Sequence, residues 1–414
     1  MIGRESSSTG ALTILSQCHQ SIKRDLGIYG GESVVNLSLS EAGLSAWRNN
    51  EQESLPKASE DTWSAAVADL TIKKNFNQKV GLLIANRYQV LESIAKGKQG
   101  AVFFGLDLTL NVKVALKFDY DSGKACPLTQ EHSIYNKLTT DKVEGIPRLI
   151  DFVYHCDTPV LITELMGPSL QQLLFYCDGK FGFESSVKLG LQMIDLLKGL
   201  HQSDLIHNDL KPENFVTSLD MTNQNVYIID FGLTKNYKLQ NTTKQNQHMP
   251  WKKTKAMIGT ANYVSLNTHN GIEMSRRDDL ESLGYMLMEF MVGSLPWKKS
   301  VLKNVHMNNQ RIAELKFNFL KDVGGIGQFI RYCRNLQFDE APDYDYLKSL
   351  LIQLKPFEGT IQDQTNLYTW TSKRNECADN ENKFYLNFRW CAPSESFFDK
   401  QKETDFMIGT FGID

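Results

Sequence analysis

Two short segments of this 414-residue sequence carry the residue types that phosphoryl transfer needs. The first is His-Asn-Asp-Leu-Lys-Pro-Glu-Asn at residues 207–214, and the second places Asp230 between an apolar Tyr-Ile-Ile run and Phe-Gly. The Asp209 carboxylate can accept the proton of an attacking hydroxyl, and the Lys211 ammonium can neutralise the transferred phosphate. The Asn214 carbonyl oxygen and the Asp230 carboxylate are hard oxygen ligands that suit Mg²⁺. Because this reaction depends mainly on positioned charge, the pattern predicts it.

A lysine at the end of a predicted strand adds a phosphate-binding cation. Residues 114–117 are Val-Ala-Leu-Lys, which matches the Val-Ala-Ile-Lys element of protein kinases. The Lys117 ammonium can reach α- and β-phosphates if an anion fixes it, and Glu131 on the following predicted helix is the expected partner. The alternative is a surface lysine and a surface glutamate that never meet. Together with the two segments above, this lysine predicts ATP and Mg²⁺ as cofactors.

The turn before that strand is rich in glycine but incomplete as a motif. It has the sequence Ile-Ala-Lys-Gly-Lys-Gln-Gly-Ala-Val at residues 94–102. Gly97 and Gly100 would let backbone N–H groups approach phosphate oxygens without interference from a Cβ atom. Ala95 stands where the kinase loop has its first glycine, so a hairpin turn that merely needs glycine explains the segment equally well.

Beyond these motifs, the sequence resembles the casein kinase 1 family of Ser/Thr protein kinases. Where most kinases have Ala-Pro-Glu, the chain has Gly-Thr-Ala-Asn-Tyr-Val-Ser-Leu-Asn-Thr-His at residues 259–269. Arg-Arg-Asp-Asp-Leu-Glu-Ser-Leu-Gly-Tyr follows at residues 276–285, and both stretches are similar to the family signature. The similarity continues in three further segments: residues 164–170, 293–297 and 338–344. It covers roughly residues 87–370.

The resemblance implies a fold and a nucleotide pocket. The fold class is α+β, a bilobal protein kinase-like fold with a small β-rich N-lobe and a larger α-helical C-lobe. Asp279 is implied to anchor the backbone of the catalytic loop, while Asp278 is left without that role. Thr163 falls at the gatekeeper position, where the family usually has methionine, and predicts a deeper pocket. The other residues implied to contact ATP belong to the hinge and to the apolar faces around adenine: Glu164, Met166, Val102, Ala115 and Val216.

Several positions depart from the family by losing positive charge. Asn208 replaces the arginine of His-Arg-Asp, which argues against activation by a phosphorylated loop. Asn262 replaces a family arginine, and residues 304–309 (Asn-Val-His-Met-Asn-Asn) replace a basic run. Both family features help to read a phosphate, and asparagine cannot make those charged contacts. We therefore expect a weakened dependence on substrates that already carry phosphoserine.

Positive charge is nevertheless concentrated between Gly232 and Gly259. Residues 233–258 contain six lysines and no acidic residue, although the chain as a whole has a net charge of −3. Two of them align with lysines that bind anions in the family: Lys235 and Lys255. We expect this segment, called the basic segment below, to favour acidic protein substrates; the alternative is an ordinary solvated loop.

Periodicity along the chain predicts how the elements follow one another. Alternating apolar residues predict strands, a polar helix follows over residues 129–138, and helical periodicity begins after residue 168. The predicted strands are residues 88–91, 101–104, 112–117, 149–154 and 160–164. The predicted domains are a low-complexity, mobile extension over 1–80, a kinase domain over 87–372 (N-lobe 87–163, C-lobe 167–372) and a C-terminal tail over 373–414.

Composition limits the partners and the compartment. A net charge of −3 creates no global field that would draw the chain to nucleic acid or to a membrane, and no apolar run is long enough to span a bilayer. The seven cysteines are scattered without a Cys-x-x-Cys pair, which is typical of reduced thiols. We expect a monomer in the cytoplasm and the nucleus, with protein substrates and no nucleic-acid or membrane partner.

A catalytically weak or inactive pseudokinase scaffold of the same fold is the alternative function. It is favoured by Ala95, Asn208 and Asn262, which all depart from the kinase or family pattern. It is opposed by the presence of all six residues on which transfer depends: Lys117, Glu131, Asp209, Lys211, Asn214 and Asp230. We therefore expect an active Ser/Thr protein kinase.

Overall fold

The structure, a computed structural model, describes most of the chain after residue 78. The described residues are 79–97, 100–119, 126–220, 222–239, 247–254, 257–298, 305–319, 325–363, 367–376, 378–388 and 391. They belong to one unit of the chain, Asp69–Asp414. The extension predicted over residues 1–80 lies outside the described residues except for its last two positions, so its mobility stays a prediction.

The first part of the described chain forms a six-stranded sheet in which every pairing is antiparallel. The strand order is β1-β2-β3-β4-β6-β5. The five longer strands contain the five predicted ones, and the two-residue β1 is too short to show periodicity. The bounds are β1 Leu83–Ile84, β2 Tyr88–Lys96, β3 Gly100–Asp107, β4 Val112–Asp119, β5 Leu149–His155 and β6 Thr158–Glu164.

Strict alternation in β3 shows why this sheet forms. Its residues are buried and half-buried in turn along the whole strand, as expected when one face packs on a core. Phe103 of β3 and Phe118 of β4 are buried on that face, with ring centroids 5.4 Å apart in an edge-to-face contact. At the other end of β3, the buried Asp107 carboxylate accepts two hydrogen bonds from the Arg87 guanidinium. The register of the central strands is therefore fixed at both ends.

Helix α1 (Pro127–Thr140) packs on the sheet and confirms the helix predicted over residues 129–138. Proline at its first position suits a helix start, because the missing N–H has no intrahelical partner there. Glu131 and Tyr135 are both buried and lie one helical turn apart. The same face of α1 therefore presents a carboxylate and an aromatic ring to the rest of the fold.

The chain after β6 is mainly helical, and its short strands form two-residue to three-residue pairings, β8 with β9 and β10 with β7. Among the described residues, none of the helices combines the length and the apolar composition that crossing a membrane requires. The elements are α2 Leu170–Tyr176, α3 Phe183–Gln202, β7 Leu205–Ile206, a 3-10 turn Pro212–Asn214, β8 Phe215–Thr217, β9 Val226–Ile228, β10 Lys235–Asn236, α4 Leu266–His269, α5 Arg276–Val292, α6 Val305–Phe319, α7 Ile326–Asn335, α8 Tyr344–Ile352, α9 Thr369–Asn375 and α10 Ala378–Asn387.

Helix α5 is the centre of the helical part. Ser275 and Asp278 form a capping box at its start, and Gly293 ends it with a φ of 83°. Apolar and charged residues alike are buried along it, in contact with α3 and α7. A helix buried on all sides must find a partner for each of its charges. Four buried carboxylates therefore mark where α5 holds other parts of the chain: Asp278, Asp279, Glu281 and Glu289.

Two helices near the C-terminal end pack on α2. Helix α9 runs across residue 373, where the predicted tail begins, and α10 follows it. Phe384 of α10 is fully buried and meets the Tyr176 ring edge to face at 5.4 Å, while the Tyr176 hydroxyl donates to the Asn380 carbonyl oxygen at 3.1 Å. Phe388 also packs against Tyr176. Residues 378–388 therefore belong to the packed core of the helical part.

Loss of the Phe384 side chain should reveal how much this packing contributes. We expect Phe384→Ala to lower the free energy of unfolding by about 3 kcal/mol, because the ring leaves a cavity against Tyr176. Phe175→Ala on the neighbouring α2, where the ring is 84% exposed, is the matched control and should change it by less than about 0.5 kcal/mol. Chemical denaturation of both variants measures the difference. Equal stability of the two would show that α10 contributes no packing.

Candidate active site

A lysine between two carboxylates lies where the sheet meets α1 and the start of the helical part. Strand β4 carries Lys117, whose Nζ lies 2.7 Å and 3.0 Å from the two carboxylate oxygens of Glu131 on α1. The same ammonium donates to Asp230 Oδ1 at 2.7 Å. The predicted pairing of Lys117 with Glu131 is therefore confirmed, and the alternative in which the two never meet is wrong.

The charges of Lys117 and Asp230 sustain each other, whereas burial raises the pKa of Glu131 in spite of its contact with Lys117. Burial alone would lower the pKa of Lys117, but the carboxylates of Glu131 and Asp230 outweigh burial and raise it. Burial alone would raise the pKa of Asp230, yet Lys117 holds it at about 2. Lysine and aspartate thus both stay ionised across the physiological pH range, as binding of phosphate and of a cation requires.

The catalytic loop places its own charges around Asp209. Lys211 Nζ donates to Asp209 Oδ2 at 2.6 Å, and the Thr260 hydroxyl donates to Asp209 Oδ1 at 2.7 Å. Asn214 Nδ2 donates to the Asp209 carbonyl oxygen at 2.8 Å. The carboxylate is thereby held in one orientation by donors from both sides. Thr260 was not singled out from the sequence, although it lies in the Gly-Thr pair that begins the segment at residues 259–269.

The backbone of this loop is anchored by Asp279, as predicted. The Asp279 carboxylate accepts hydrogen bonds from the backbone N–H of His207 at 2.8 Å and of Asn208 at 3.0 Å. It also contacts the Nε2 atom of the buried His201 at 3.0 Å. Burial by itself would raise the pKa of Asp279, but the His201 contact and the backbone donors hold it below its usual range. The carboxylate is therefore a fixed anion under the loop.

Asn208 has a structural use at the position where the family has arginine. Its φ is 69°, in the left-handed region that asparagine tolerates better than most residues. Its side-chain Nδ2 donates to the Leu233 carbonyl oxygen at 2.8 Å, just beyond the Asp-Phe-Gly segment. Asn208 therefore joins the catalytic loop to the start of the basic segment through a neutral hydrogen bond.

The donor atoms suit a divalent cation held mainly by its nucleotide. Asn214 uses its amide nitrogen to bind the Asp209 carbonyl, which leaves its Oδ1 for a cation. Asp230 adds an ionised carboxylate. Within the described residues, no group of three or more His, Cys, Asp or Glu side chains could hold a metal. Two oxygen ligands match the way Mg²⁺ binds, with phosphates and waters completing its shell.

Three of the residues predicted around adenine lie on paired strands of the sheet, and Val216 lies on β8, next to the chain after β6. Ala115 on β4 lies opposite Thr163 on β6, and Val102 on β3 lies opposite Lys117. The chain after β6 then runs beside β8, because the Gly167 N–H donates to the Thr217 carbonyl at 2.9 Å. Ser169 pairs with Val216, so Val216 lies next to this stretch of chain. A Cβ on Gly167 would lie 2.5 Å from the Ser218 carbonyl oxygen, so only glycine allows this approach.

Only the two ends of the glycine-rich turn are described. The Gly97 N–H donates to the Gly100 carbonyl at 2.8 Å, which closes the hairpin between β2 and β3. A Cβ on Gly100 would come within 2.0 Å of the Phe118 carbonyl, so this glycine is needed for strand packing. A Cβ on Gly97 would lie 3.7 Å from the Gly100 carbonyl oxygen, an ordinary van der Waals distance. Its contact with phosphate stays a prediction, as does that of Gly100.

An aromatic stack that the sequence did not reveal holds the Asp-Phe-Gly segment in place. Phe231 is fully buried, with its ring edge to face with Tyr135 of α1 at 5.1 Å and tilted against His207 at 5.7 Å. Tyr135 and His207 lie 72 positions apart in the sequence, so no local pattern could indicate this contact. The stack links α1, Asp230 and the catalytic loop into one packed unit.

The segment at residues 259–265 is fixed by side chains from three helices and the loop after α5. Gly259 has a φ of 94°, and a Cβ there would lie 2.6 Å from the Asn208 carbonyl. The fully buried Lys316 of α6 donates to the carbonyl oxygens of Ala261 and Val264 at 2.9 Å and 2.6 Å. Trp297 Nε1 donates to the Asn262 carbonyl at 2.8 Å. The segment beside Asp209 thus has a set conformation.

Asp278 binds the end of the segment at residues 259–265. The neighbouring Asp279, and not Asp278, anchors the catalytic loop, as predicted. Its carboxylate accepts from the Ser265 hydroxyl at 2.6 Å and from the Ser275 N–H at 2.8 Å. Asp278 is completely buried, and burial raises the pKa of its carboxyl from 3.8 to about 6 in spite of these donors. The folded chain therefore binds this proton more tightly than the unfolded chain does.

This raised pKa predicts a pH dependence of stability. The contribution of Asp278 is present below about pH 4 and is lost as the pH rises through about 6, a change of ~3 kcal/mol. Asp278→Asn cannot ionise, so its free energy of unfolding relative to wild type should increase by about that amount between pH 4 and pH 7. Urea denaturation at both pH values measures it. Asp345→Asn replaces a carboxylate that is 82% exposed, and its free energy of unfolding should change with pH in parallel with that of wild type. If Asp278→Asn also runs parallel to wild type, the pKa of Asp278 is not raised.

Comparison with known families agrees with this geometry. The family model of the protein kinase domain matches residues 88–341, which is more than half of the chain. That stretch begins at β2 and contains Lys117, Glu131, the catalytic loop, Asp230 and all of α5. A protein kinase domain implies the use of ATP and a divalent metal and the phosphorylation of protein substrates. The chain belongs to the protein kinase family.

Proposed function

We propose that the chain is an active Ser/Thr protein kinase of the casein kinase 1 type, which transfers the γ-phosphate of Mg-ATP to hydroxyl groups of acidic proteins. One observation carries the proposal of activity. The Lys117 ammonium is in contact with both Glu131 and Asp230 while Lys211 and Thr260 hold Asp209. The group around Lys117 and the group around Asp209 are thus both formed in the same chain. A scaffold without activity would require neither of them.

The roles of the residues follow from their contacts. Between the two lobes that the fold class implies, Lys117 would bind the α- and β-phosphates with its position fixed by Glu131. Asp209 would orient the substrate hydroxyl and hold its proton, while Lys211 balances the charge of the γ-phosphate. Mg²⁺ bound by Asn214 and Asp230 would supply positive charge at the phosphates. The chain itself supplies mainly position and charge.

Ser/Thr specificity and the relation to casein kinase 1 are supported by residues 259–269 and 276–285. These are the stretches that resemble the family, and they are also the ones that surround Asp209 through Thr260 and anchor its loop through Asp279. The acidic preference is supported by the lysines of the basic segment. Because Asp204 and Glu273 pair with three of those lysines, we expect a smaller preference than six free charges would give.

The setting of the enzyme is also part of the proposal. Five cysteines are among the described residues, and all are free thiols, which suits the cytoplasm and the nucleus. We further propose a monomer. The proposed kinase domain covers residues 87–372 and is followed by a tail. The packing of α10 on α2 would extend that domain into the tail as far as α10.

The activity is tested by phosphate transfer from labelled ATP to casein and to matched serine and tyrosine peptides. We expect incorporation on the serine peptide and a loss of at least ~10³-fold in Asp230→Asn, because that variant lacks the carboxylate that pairs with Lys117 and binds the cation. Asp220→Asn, an exposed aspartate in the loop after β8, is the matched control and should keep full activity. Wild-type incorporation no higher than that of Asp230→Asn would favour the scaffold.

The Thr163 side chain predicts the depth of the nucleotide pocket. An ATP-competitive inhibitor with a bulky group beyond the adenine should lose about tenfold or more in potency on Thr163→Met, because the longer side chain fills that space. Thr158→Met at the other end of β6 is a control on the same strand. Inhibition constants of the bulky compound and of its unsubstituted parent make the comparison. The same potency on wild type and on Thr163→Met would exclude a deeper pocket.

A further inference from the structure

Three of the six lysines of the basic segment, all within its described residues, pair with carboxylates of the protein. Lys235 of β10 donates to one carboxylate oxygen of Glu273, and Lys252 Nζ lies 3.3 Å from the other. Lys238 pairs separately with Asp204 at 2.6 Å. Glu273 lies outside the segment, just before α5, and only 8% of its side chain is exposed. A single buried carboxylate therefore serves two of the six lysines.

Glu273 also joins three stretches of chain that are distant in sequence. Its own N–H donates to the Lys252 carbonyl at 3.1 Å, and the Thr254 N–H donates to the Gly271 carbonyl at 2.7 Å. Lys235 belongs to β10, which pairs with β7 immediately before the catalytic loop. The carboxylate thus connects the stretch after Asp-Phe-Gly, residues 252–254 and the approach to α5.

Electrostatics favour an ionised Glu273. Burial alone would raise the pKa of its carboxyl, but the hydrogen bonds and charges of Lys235 and Lys252 reverse that effect and lower it. A buried carboxylate with two ammonium partners is stable only while the partners stay in place. The pairing therefore fixes Lys235, most of which is buried, more firmly than Lys252, which is mostly exposed and lies 3.3 Å from the carboxylate.

The space beside this group is small. Glu273, Lys235 and Asn208 are among the residues that line a cleft of about 10 Å³, room for one water molecule. The Asn208 Oδ1 atom is buried and has no hydrogen-bond partner in the described part of the chain. A carbonyl oxygen attracts a donor and not a phosphate. The cleft is thus built around an internal carboxylate.

We propose that Glu273 is a built-in anion, which positions the basic segment without a phosphate and withholds Lys235 and Lys252 from acidic substrates. It supplies from within the negative charge that a phosphate group could otherwise bring to paired lysines. This inference rests on the proposed function only in so far as the substrates are acidic proteins. Glu273 is accordingly a specificity-determining residue that acts through the two lysines.

Inorganic phosphate tests the proposal without any need for activity. Glu273→Gln in the full chain keeps the shape of the side chain and releases both ammonium groups. We expect phosphate to raise the thermal midpoint of Glu273→Gln by about 3 °C over chloride of equal ionic strength, and to leave wild type unchanged. Asp204→Asn, which releases Lys238 in the same segment but away from Glu273, is the matched control and should behave as wild type. Glu273→Asp keeps the charge and should show no response to phosphate.

Peptide selectivity supplies the second measurement. For a serine peptide with acidic flanking residues and its neutral counterpart, the ratio of kcat/KM should rise by about tenfold in Glu273→Gln through a lower KM for the acidic peptide. Lys252→Met, at a side chain 64% exposed, should leave the wild-type ratio unchanged, because that lysine is already withheld. This variant keeps the proposal testable if Glu273→Gln does not fold.

Distinct results would overturn the inference. Stabilisation of wild type by phosphate to the same extent as Glu273→Gln would show that the lysines are free. If phosphate does not stabilise Glu273→Gln and this variant loses kcat/KM equally on both peptides, Glu273 has only a structural role. If Lys252→Met lowers the ratio of kcat/KM between the acidic and the neutral peptide, Lys252 contacts substrate. If no variant phosphorylates any peptide, the proposed function fails, and the response to phosphate alone decides the role of Glu273.

Discussion

The contact of the Lys117 ammonium with Glu131 and Asp230 is the interaction on which the site depends. Its three members come from the sheet, from α1 and from the start of the helical part, so the contact exists only when those elements are all in place. A largely buried charge without a partner is costly, and each member therefore holds the other two. The stack of Tyr135, Phe231 and His207 adds an apolar support beside it. The same contacts therefore set the geometry of the site and stabilise the fold.

Helix α5 applies the same constraint to the other half of the site. Asp279 binds the catalytic loop, Asp278 binds Ser265, and Glu289 accepts from the Tyr263 hydroxyl at 2.6 Å. Because α5 is buried on all sides, each carboxylate needs donors, and the donors are backbone and side chains of the segments that surround Asp209. The conformation of these segments follows from the cost of leaving charges of α5 unsatisfied.

The sequence was informative wherever a short local pattern determines the secondary structure or the chemistry of the site. Alternation predicted five strands, and the motifs around Lys117, Asp209 and Asp230 predicted a phosphoryl-transfer site that the family match supports. The anchoring role of Asp279 came from a resemblance, and its hydrogen bonds confirm it. Thr260 and the Tyr135 stack were missed, since such contacts join residues far apart in the chain. Helix α10 itself was not predicted, because its apolar residues are too few to show a helical period.

The basic segment shows how far charge counting can mislead. Six lysines without an acidic neighbour in sequence predict a positive surface, yet Glu273 and Asp204 lie beside three of them in space. Asn208, read as a loss of positive charge, fits the same balance. An arginine there would add a third cation around Glu273, whereas asparagine suits the φ of 69° and binds the Leu233 carbonyl without charge. In the described part of the segment, the neutral side chain of Asn208 therefore accompanies lysines that already pair with internal carboxylates, and it leaves Glu273 with two ammonium partners.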